Sequence, residues 1–306
     1  MNALATLVRR EFWEHRGLWI APLVVAIVLV VGSVFSGVHG GHIQINGQEL
    51  NALAAMNDER RAEVFGLFIG GMMIPHMIVM LVVLFFYLSD ALYGERKDRS
   101  ILFWKSLPVS DANTVVSKLV TALIAAPLIA FAASAVTGLL CYLIIKAKLS
   151  GSAFDGFSAW NSAMWLRMTG IILMDLFIAS LWYAPLGTYV LLVSGWAKRT
   201  VILWVVLPPL VVVITERWFL SSSYFAHFLG YRITGLFSRM GTQFDDGAPM
   251  KGAVIHDRMA HLGGALEKLN LSPLLMNPDL WLGLLAAAVM VLITIRLRRY
   301  RDDTSG

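Results

Sequence analysis

Asp175 is the one formally charged residue inside the long apolar run 168–197, and a carboxylate in lipid costs several kcal/mol unless it is paired, protonated or wet. Two chemistries follow. It serves as a cation or proton site lining a path, or it hydrogen-bonds a Ser, Thr or Tyr of a neighbouring helix. Its place near one end of the run favours the second. His76 follows Pro75 within another apolar run, and His39 and His42 lie just beyond the first run. A metal centre needs three or four converging ligands. The sequence has no His-Glu-x-x-His and no pair of cysteines, so His76 reads as a path-lining or hydrogen-bonded side chain and no metal is expected. The lone cysteine, Cys141, sits in apolar surroundings and reads as packing. No G-x-x-x-x-G-K-[ST] loop is present to cradle a nucleotide's phosphates, and no G-x-S-x-G elbow to present a nucleophile. Catalysis is not expected of this chain.

The densest charge lies in residues 90–114, DALYGERKDRSILFWKSLPVSDANT. Charged residues give way to Ile101, Leu102, Phe103 and Trp104, then to a Leu107-Pro108 break, after which Asp111 is placed to cap the next helix. A connection that only reversed the chain would need a few polar residues. One that builds a short amphipathic helix and ends it with proline is shaped for docking. A second amphipathic segment opens the chain. Leu4, Leu7, Val8 and Phe12 share a face at helical spacing, and Arg9, Arg10 and Arg16 are left to face headgroups or protein, so residues 1–17 read as an interfacial helix.

The elements that position these residues are membrane spans. Of 306 residues, 58% are hydrophobic and 15% charged, against about 25% charged in ordinary soluble domains, and mean hydropathy is +0.69. Residues 18–38 carry no charge and span about 30 Å as a helix, the thickness of a bilayer's hydrocarbon core. Residues 64–89, 119–145 and 168–197 make three more spans, and 200–215 and 280–295 are shorter runs that apolar flanks extend: Trp218 to Leu220 after one, Pro273 to Met276 before the other. The expected fold is therefore an all-α integral membrane protein of six transmembrane helices. Spans one to five occupy 18–215 and the sixth lies in 280–306 with a basic tail. Pro75, Pro127, Pro185, Pro208 and Pro209 are expected to bend their helices.

Basic residues set the orientation. Arg9, Arg10 and Arg16, then Arg96, Lys97, Arg99 and Lys105, then Lys198 and Arg199, then Arg296, Arg298, Arg299 and Arg301 fall on alternate connections. Positive charge marks the cytosolic side, so both termini are expected there. The formal charge of +5 and pI near 9.4 reflect these runs between apolar stretches, which excludes nucleic acid as the expected partner. The segment 216–279 lies on the outer side. Val254, Ile255, Met259, Leu262 and Leu266 recur there at roughly helical spacing, which predicts one or two amphipathic helices dipping into the outer leaflet, and residues 243–251 read as a loop.

The run Glu95-Arg96-Lys97-Asp98-Arg99-Ser100, then Leu102, Ser106-Leu107-Pro108-Val109-Ser110 and Ser117-Lys118, resembles membrane subunits of type-2 ATP-binding-cassette exporters. There an acidic-basic stretch leads to a Leu-Pro-(Val/Ile)-Ser element and a Lys opening the next span, and surface helix, six spans and enlarged outer region fit over the whole chain. The resemblance implies a permease subunit in the plasma (inner) membrane of a bacterium, paired with a second copy or a related permease. It binds no cofactor itself, and ATP and Mg²⁺ belong to cytosolic ATPase subunits. It further implies that residues 90–106 form a coupling helix, with Glu95, Arg96, Asp98, Arg99 and Ser100 contacting the ATPase, Leu107 and Pro108 shaping its exit, and Arg10 and Glu11 making a second contact. The alternative is a non-transporting sensor or immunity protein whose inner loop binds a regulator. Nothing in the residues selects a substrate.

Overall fold

The computed structural model describes residues 3–35, 44–45, 48–49, 58–106, 109–149, 162–244 and 275–300. Apart from a two-residue antiparallel pair, in which Gln44 faces Glu49 and Ile45 faces Gln48, the regular structure described is helical. The helices are α1 (Ala3–Glu14), α2 (Gly17–Phe35), α3 (Asp58–Asp90), α4 (Tyr93–Lys97), α5 (Ser100–Ser106), α6 (Asp111–Val120), α7 (Ala126–Leu149), α8 (Ser162–Trp196), α9 (Val201–Phe219), α10 (Tyr224–Phe244) and α11 (Pro278–Tyr300). A single π-helical turn, Thr121–Ala125, joins α6 to α7. Its cause is Pro127, which has no N–H to give the carbonyl four residues back and whose ring would strike it. The wider turn makes room.

Among the described residues, six segments are long and apolar enough to cross a membrane: Gly17–Phe35, Gly71–Lys97, Asp111–Lys148, Ile172–Trp196, Val201–Phe219 and Pro278–Tyr300. Their outward faces are apolar, with Val28 62% exposed and Leu285 66% exposed. That inverts the pattern of a water-soluble bundle, as hydrocarbon solvent requires. Spans one to five lie where the sequence predicts. The sixth gains its length at the opposite end: Leu275 to Asn277 precede the helix, which instead runs on through Arg296, Arg298 and Arg299 to Tyr300. One of those arginines, Arg298, is buried among protein charges, so the basic end continues the helix.

Two apolar cores hold the bundle. The larger joins Leu18 of α2, Met80, Tyr87 and Leu88 of α3, Val115 and Leu119 of α6, Ala126 and Ala130 of α7, Leu191 and Val193 of α8 and Val205 of α9. Small alanines on α7 let its neighbours approach closely. The second gathers Ile178 and Trp182 of α8, Leu280 of α11 and, at its edge, Tyr231 of α10.

Helix α10 falls in the segment the sequence places outside. Glu216, buried at the end of α9, accepts hydrogen bonds from Ser222 Oγ at 3.0 Å and Phe225 N at 2.9 Å, and Ser221 turns the chain at φ 47°. The carboxylate thus caps α10 and folds it back as a hairpin. Trp182 Nε1 donates to Arg232 O and Tyr183 OH to Ile233 O, both at 3.0 Å. The middle of α10 therefore lies against the middle of the apolar run of α8. The helices expected near 253–268 fall outside the described residues.

Candidate functional site

The charged loop is built as two short helices stitched to the end of α8. Ser194 Oγ accepts from both Leu92 N and Tyr93 N at 3.1 Å and so satisfies the amides that open α4. Arg96 returns the contact, donating to the carbonyls of Ser194 at 2.6 Å and Ala197 at 2.8 Å, which closes the C-terminal end of α8. Gly94 packs closely on Asp90, since a Cβ there would lie 3.1 Å from Asp90 Oδ2 and the carboxylate would have to shift. Arg99, at φ 56°, turns α4 into α5 in the left-handed region that most side chains avoid. Ser100 Oγ donates to Glu95 O at 3.3 Å across that turn.

Beneath the loop lies a buried ionic network. Lys118, from α6, is 1% exposed; its Nζ donates to Glu11 Oε1 at 3.0 Å and Oε2 at 3.2 Å, and lies 3.1 Å from Glu95 Oε1. Arg298, near the end of α11, pairs with the other oxygen of Glu95 and donates from Nε to Asp111 Oδ1 at 3.1 Å. Arg10 of α1 donates to Glu95 at 3.1 Å and Glu11 at 3.3 Å and forms an ion pair with Glu14 at 3.0 Å, and its guanidinium lies 3.8 Å over the Trp104 ring of α5. Tyr87 OH of α3 donates to Glu11 Oε2 at 2.9 Å. Five elements, from α1 at one end of the chain to α11 near the other, therefore meet on two carboxylates, Glu11 and Glu95. Ions this deeply buried lose several kcal/mol of hydration each, which only close, multiply bonded pairs offset.

His15, at the α1–α2 junction, stands 3.9 Å from Glu11 Oε2 and edge-on to Tyr87. Burial holds its pKa below the ordinary 6.5, with Lys118 lowering it further and Glu11 opposing. Glu11, Glu14 and His15 bring three ligand atoms within 4.8 Å of one another. Both carboxylates are already ion-paired, with Lys118 and Arg10, which leaves the trio a poor competitor for a metal ion.

The seven loop residues singled out by sequence thus part into three groups. Glu95 is buried and Arg96 half-buried, each held within the chain, and Ser100 bonds the turn. Asp98 and Arg99 are exposed beside Lys97, and Phe103 adds an apolar surface 60% exposed. Leu107 and Pro108 lie outside the described residues. Arg10 and Glu11 face inward, Glu11 being fully buried, and the exposed residues of α1 are Ala5, Thr6, Arg9, Trp13 and Glu14. Asp111 is not the helix cap. Ser110 holds that position and accepts from Asn113 N at 3.1 Å, which frees the aspartate for Arg298.

The structure does not bring Asp175 or His76 into this network. Asp175 is 9% exposed, and among the described residues its carboxylate has no hydrogen-bond partner. His76 is fully buried; Nδ1 donates to Met72 O at 3.0 Å, and Nε2 has no partner among the described residues. Sequence reasoning missed Tyr87, Arg298, Ser194 and Trp104 as members of the site. Lys118 carried a signal, a cation at the mouth of a span, and Arg298 was read only as a mark of orientation. The chain matches no protein-family model and no curated protein.

Proposed function

We propose that this chain is the permease subunit of an exporter powered by separate cytosolic ATPase subunits. One observation carries the reading: the exposed Lys97-Asp98-Arg99 and Phe103 sit on a short helix pair rooted, through Glu95, in the ends of α1, α6 and α11. A loop so anchored can pass a push from a docked protein to several spans. The resemblance of residues 95–118 to the exporter subunits, the six apolar helices and the basic residues on alternate connections support the same reading. Both termini then face the cytosol, in the plasma (inner) membrane of a bacterium. Two permeases, identical or related, line the path. Hydrolysis belongs to the partner, which binds ATP and Mg²⁺; this chain is not an enzyme.

The docking residues are Asp98, Arg99 and Phe103, with Glu95 and Arg96 positioning them. The experiment is purification of the tagged chain from its native membranes in mild detergent, with an assay for a co-purifying ATPase. An ATPase that is retained by wild type and lost on Asp98→Arg/Arg99→Glu supports the proposal. A clean preparation without ATPase activity refutes it and turns attention to a sensor or immunity protein.

A further inference from the structure

A groove of about 590 Å³ runs between α2 and α7 on the outer surface of the bundle. One wall is Trp19, Leu23, Ala26, Ile27 and Val30; the other is Ile129, Ala132, Ala133, Val136 and Leu140. The two helices run side by side in the same direction, with Cys141 Sγ reaching Leu29 O and Lys148 Nζ reaching Ser33 O at 3.0 Å. Ala26 on one wall and Ala132 and Ala133 on the other leave space that larger side chains would fill. Thr137 also lines the groove, and its hydroxyl is already spent on Ala133 O at 2.7 Å. The indole of Trp19, at one end, is the remaining polar side chain of the lining.

We propose that this groove binds one anionic glycerophospholipid from the leaflet on the N-terminal side, its acyl chain along α2 and α7 and its phosphate at Arg16. Three features argue for this occupant. From Trp19 to Val31 the groove is about 18 Å long at helical rise, close to the roughly 15 Å depth of one leaflet's hydrocarbon. Its Trp19 end carries exposed arginines beside an interfacial indole, whereas Lys148 at the far end is already bonded to the carbonyl of Ser33. Arg16 is exposed and one turn before Trp19, and Arg9 and Trp13, one turn apart, are exposed on α1. An arginine donates two parallel hydrogen bonds to a phosphate, and an interfacial tryptophan suits the glycerol level. Finally, a second copy of this chain fits poorly. A two-fold contact across α2 would set Arg16 and Arg9 of each copy near their own counterparts, so like charges would oppose it. The groove is lined by α2 and α7 and by no residue of the charged loop, so the proposal does not depend on the permease reading.

The test uses the full chain in detergent, equilibrated with equal amounts of palmitoyl-oleoyl phosphatidylglycerol and phosphatidylcholine and examined by native mass spectrometry. Two arginines at a membrane surface together supply roughly thirty-fold preference for the anionic lipid. Wild type is expected to retain phosphatidylglycerol over phosphatidylcholine on that order. Arg9→Gln/Arg16→Gln should bring the two lipids level without changing phosphatidylcholine retention. Ala132→Phe and Ala26→Phe, one on each wall, should each lower retention of both lipids, and having two fillers guards against one that fails to fold. Equal retention of the two lipids by wild type overturns the proposal. So does phosphatidylglycerol binding that survives the wall variants, or a dimer that Ala132→Phe dissociates while lipid retention is unchanged. Co-purification of an ATPase is unaffected by these variants, so failure here and failure of the permease reading are told apart.

Discussion

Replacing Lys118 with methionine removes the cation on which Glu11 and Glu95 converge while keeping the length of the side chain. Arg10, Lys118 and Arg298 face Glu11, Glu14, Glu95 and Asp111, so the network has one negative charge in excess, and Lys118→Met raises that excess to two; Glu14 and Asp111 reach solvent, but Glu11 and Glu95, which lose the cation, are buried. Breaking a buried ion pair by removing one partner costs about 3–5 kcal/mol. The lower end applies, because Glu95 keeps Arg10 and Arg298, and Glu11 keeps Tyr87 and the longer Arg10 contact. The weakest element bears the loss. Helix α1 is short; it docks on α6 through Glu11 and on α4 and α5 through Arg10, and it buries Leu7. A cost of about 3 kcal/mol raises the population with α1 undocked by roughly a hundred-fold. Amide hydrogen exchange across Ala3–Glu14, followed by mass spectrometry in detergent, reads that population directly. Glu11→Gln should open α1 less, since Lys118 retains Glu95 at 3.1 Å. The double variant should open it less than the two singles added, because a shared pair is lost only once. Exchange of α1 in Lys118→Met within about threefold of wild type, or strict additivity in the cycle, would show that the network does not hold the helix.

The same helix should respond to acid. Docking lowers the pKa of His15, so its contribution to docking is full above 6.5 and falls away as pH drops through the lower docked value; α1 exchange should rise below pH 6.5, and His15→Gln should flatten that rise. Gly283→Ala would place a Cβ 1.6 Å from Arg232 Nη2 and 3.1 Å from Pro185 Cγ, forcing the guanidinium off the Trp182 ring that it covers at 4.4 Å. A loss of about 1–3 kcal/mol is expected, seen as a lower melting temperature, and Arg232→Ala should make the same glycine change nearly neutral. Arg96→Ala should lower the melting temperature through the uncapped end of α8, whereas Arg99→Glu should leave it within error, because only the first side chain is held by backbone carbonyls. Equal effects of the two would refute that division.

The spans were legible because one signal, a charge-free run of bilayer length, suffices for each. The same signal misplaced the extension of the sixth. Arg296, Arg298 and Arg299 look like the end of a span by composition, yet Arg298 continues the helix into the protein, and only the fold supplies Glu95 and Asp111 to receive it. The loop shows the same limit. Its charges mark residues 95–100 as unusual, but Glu95 and Asp98 are both acids in one polar stretch. Burial separates them, and burial is decided by α6 together with α1 and α11, the last two far away in sequence. Helix α10 was missed for a related reason. Its apolar residues are interrupted by Arg232, which counts against a helix beside hydrocarbon until Trp182, Gly283 and the carbonyl of Asp279 are seen to shelter it.

A junction made of ions behaves differently from one made of methyl groups. Apolar surfaces can slide with little change in energy so long as area stays buried, whereas a buried carboxylate that loses one of its cations by a few ångströms loses most of the attraction while its hydration is still absent. Glu95 is held by Arg10, Lys118 and Arg298 from three separate elements, so displacing α4 by part of a helical turn cannot leave all three bonds intact unless α1, α6 and α11 follow. The energetic choice is between moving together and breaking apart. On the permease reading, a force applied at Asp98, Arg99 and Phe103 is delivered to the ends of the third and sixth spans without first being absorbed by the loop. A stiff coupling element requires that property, and an apolar hinge at the same place would lack it.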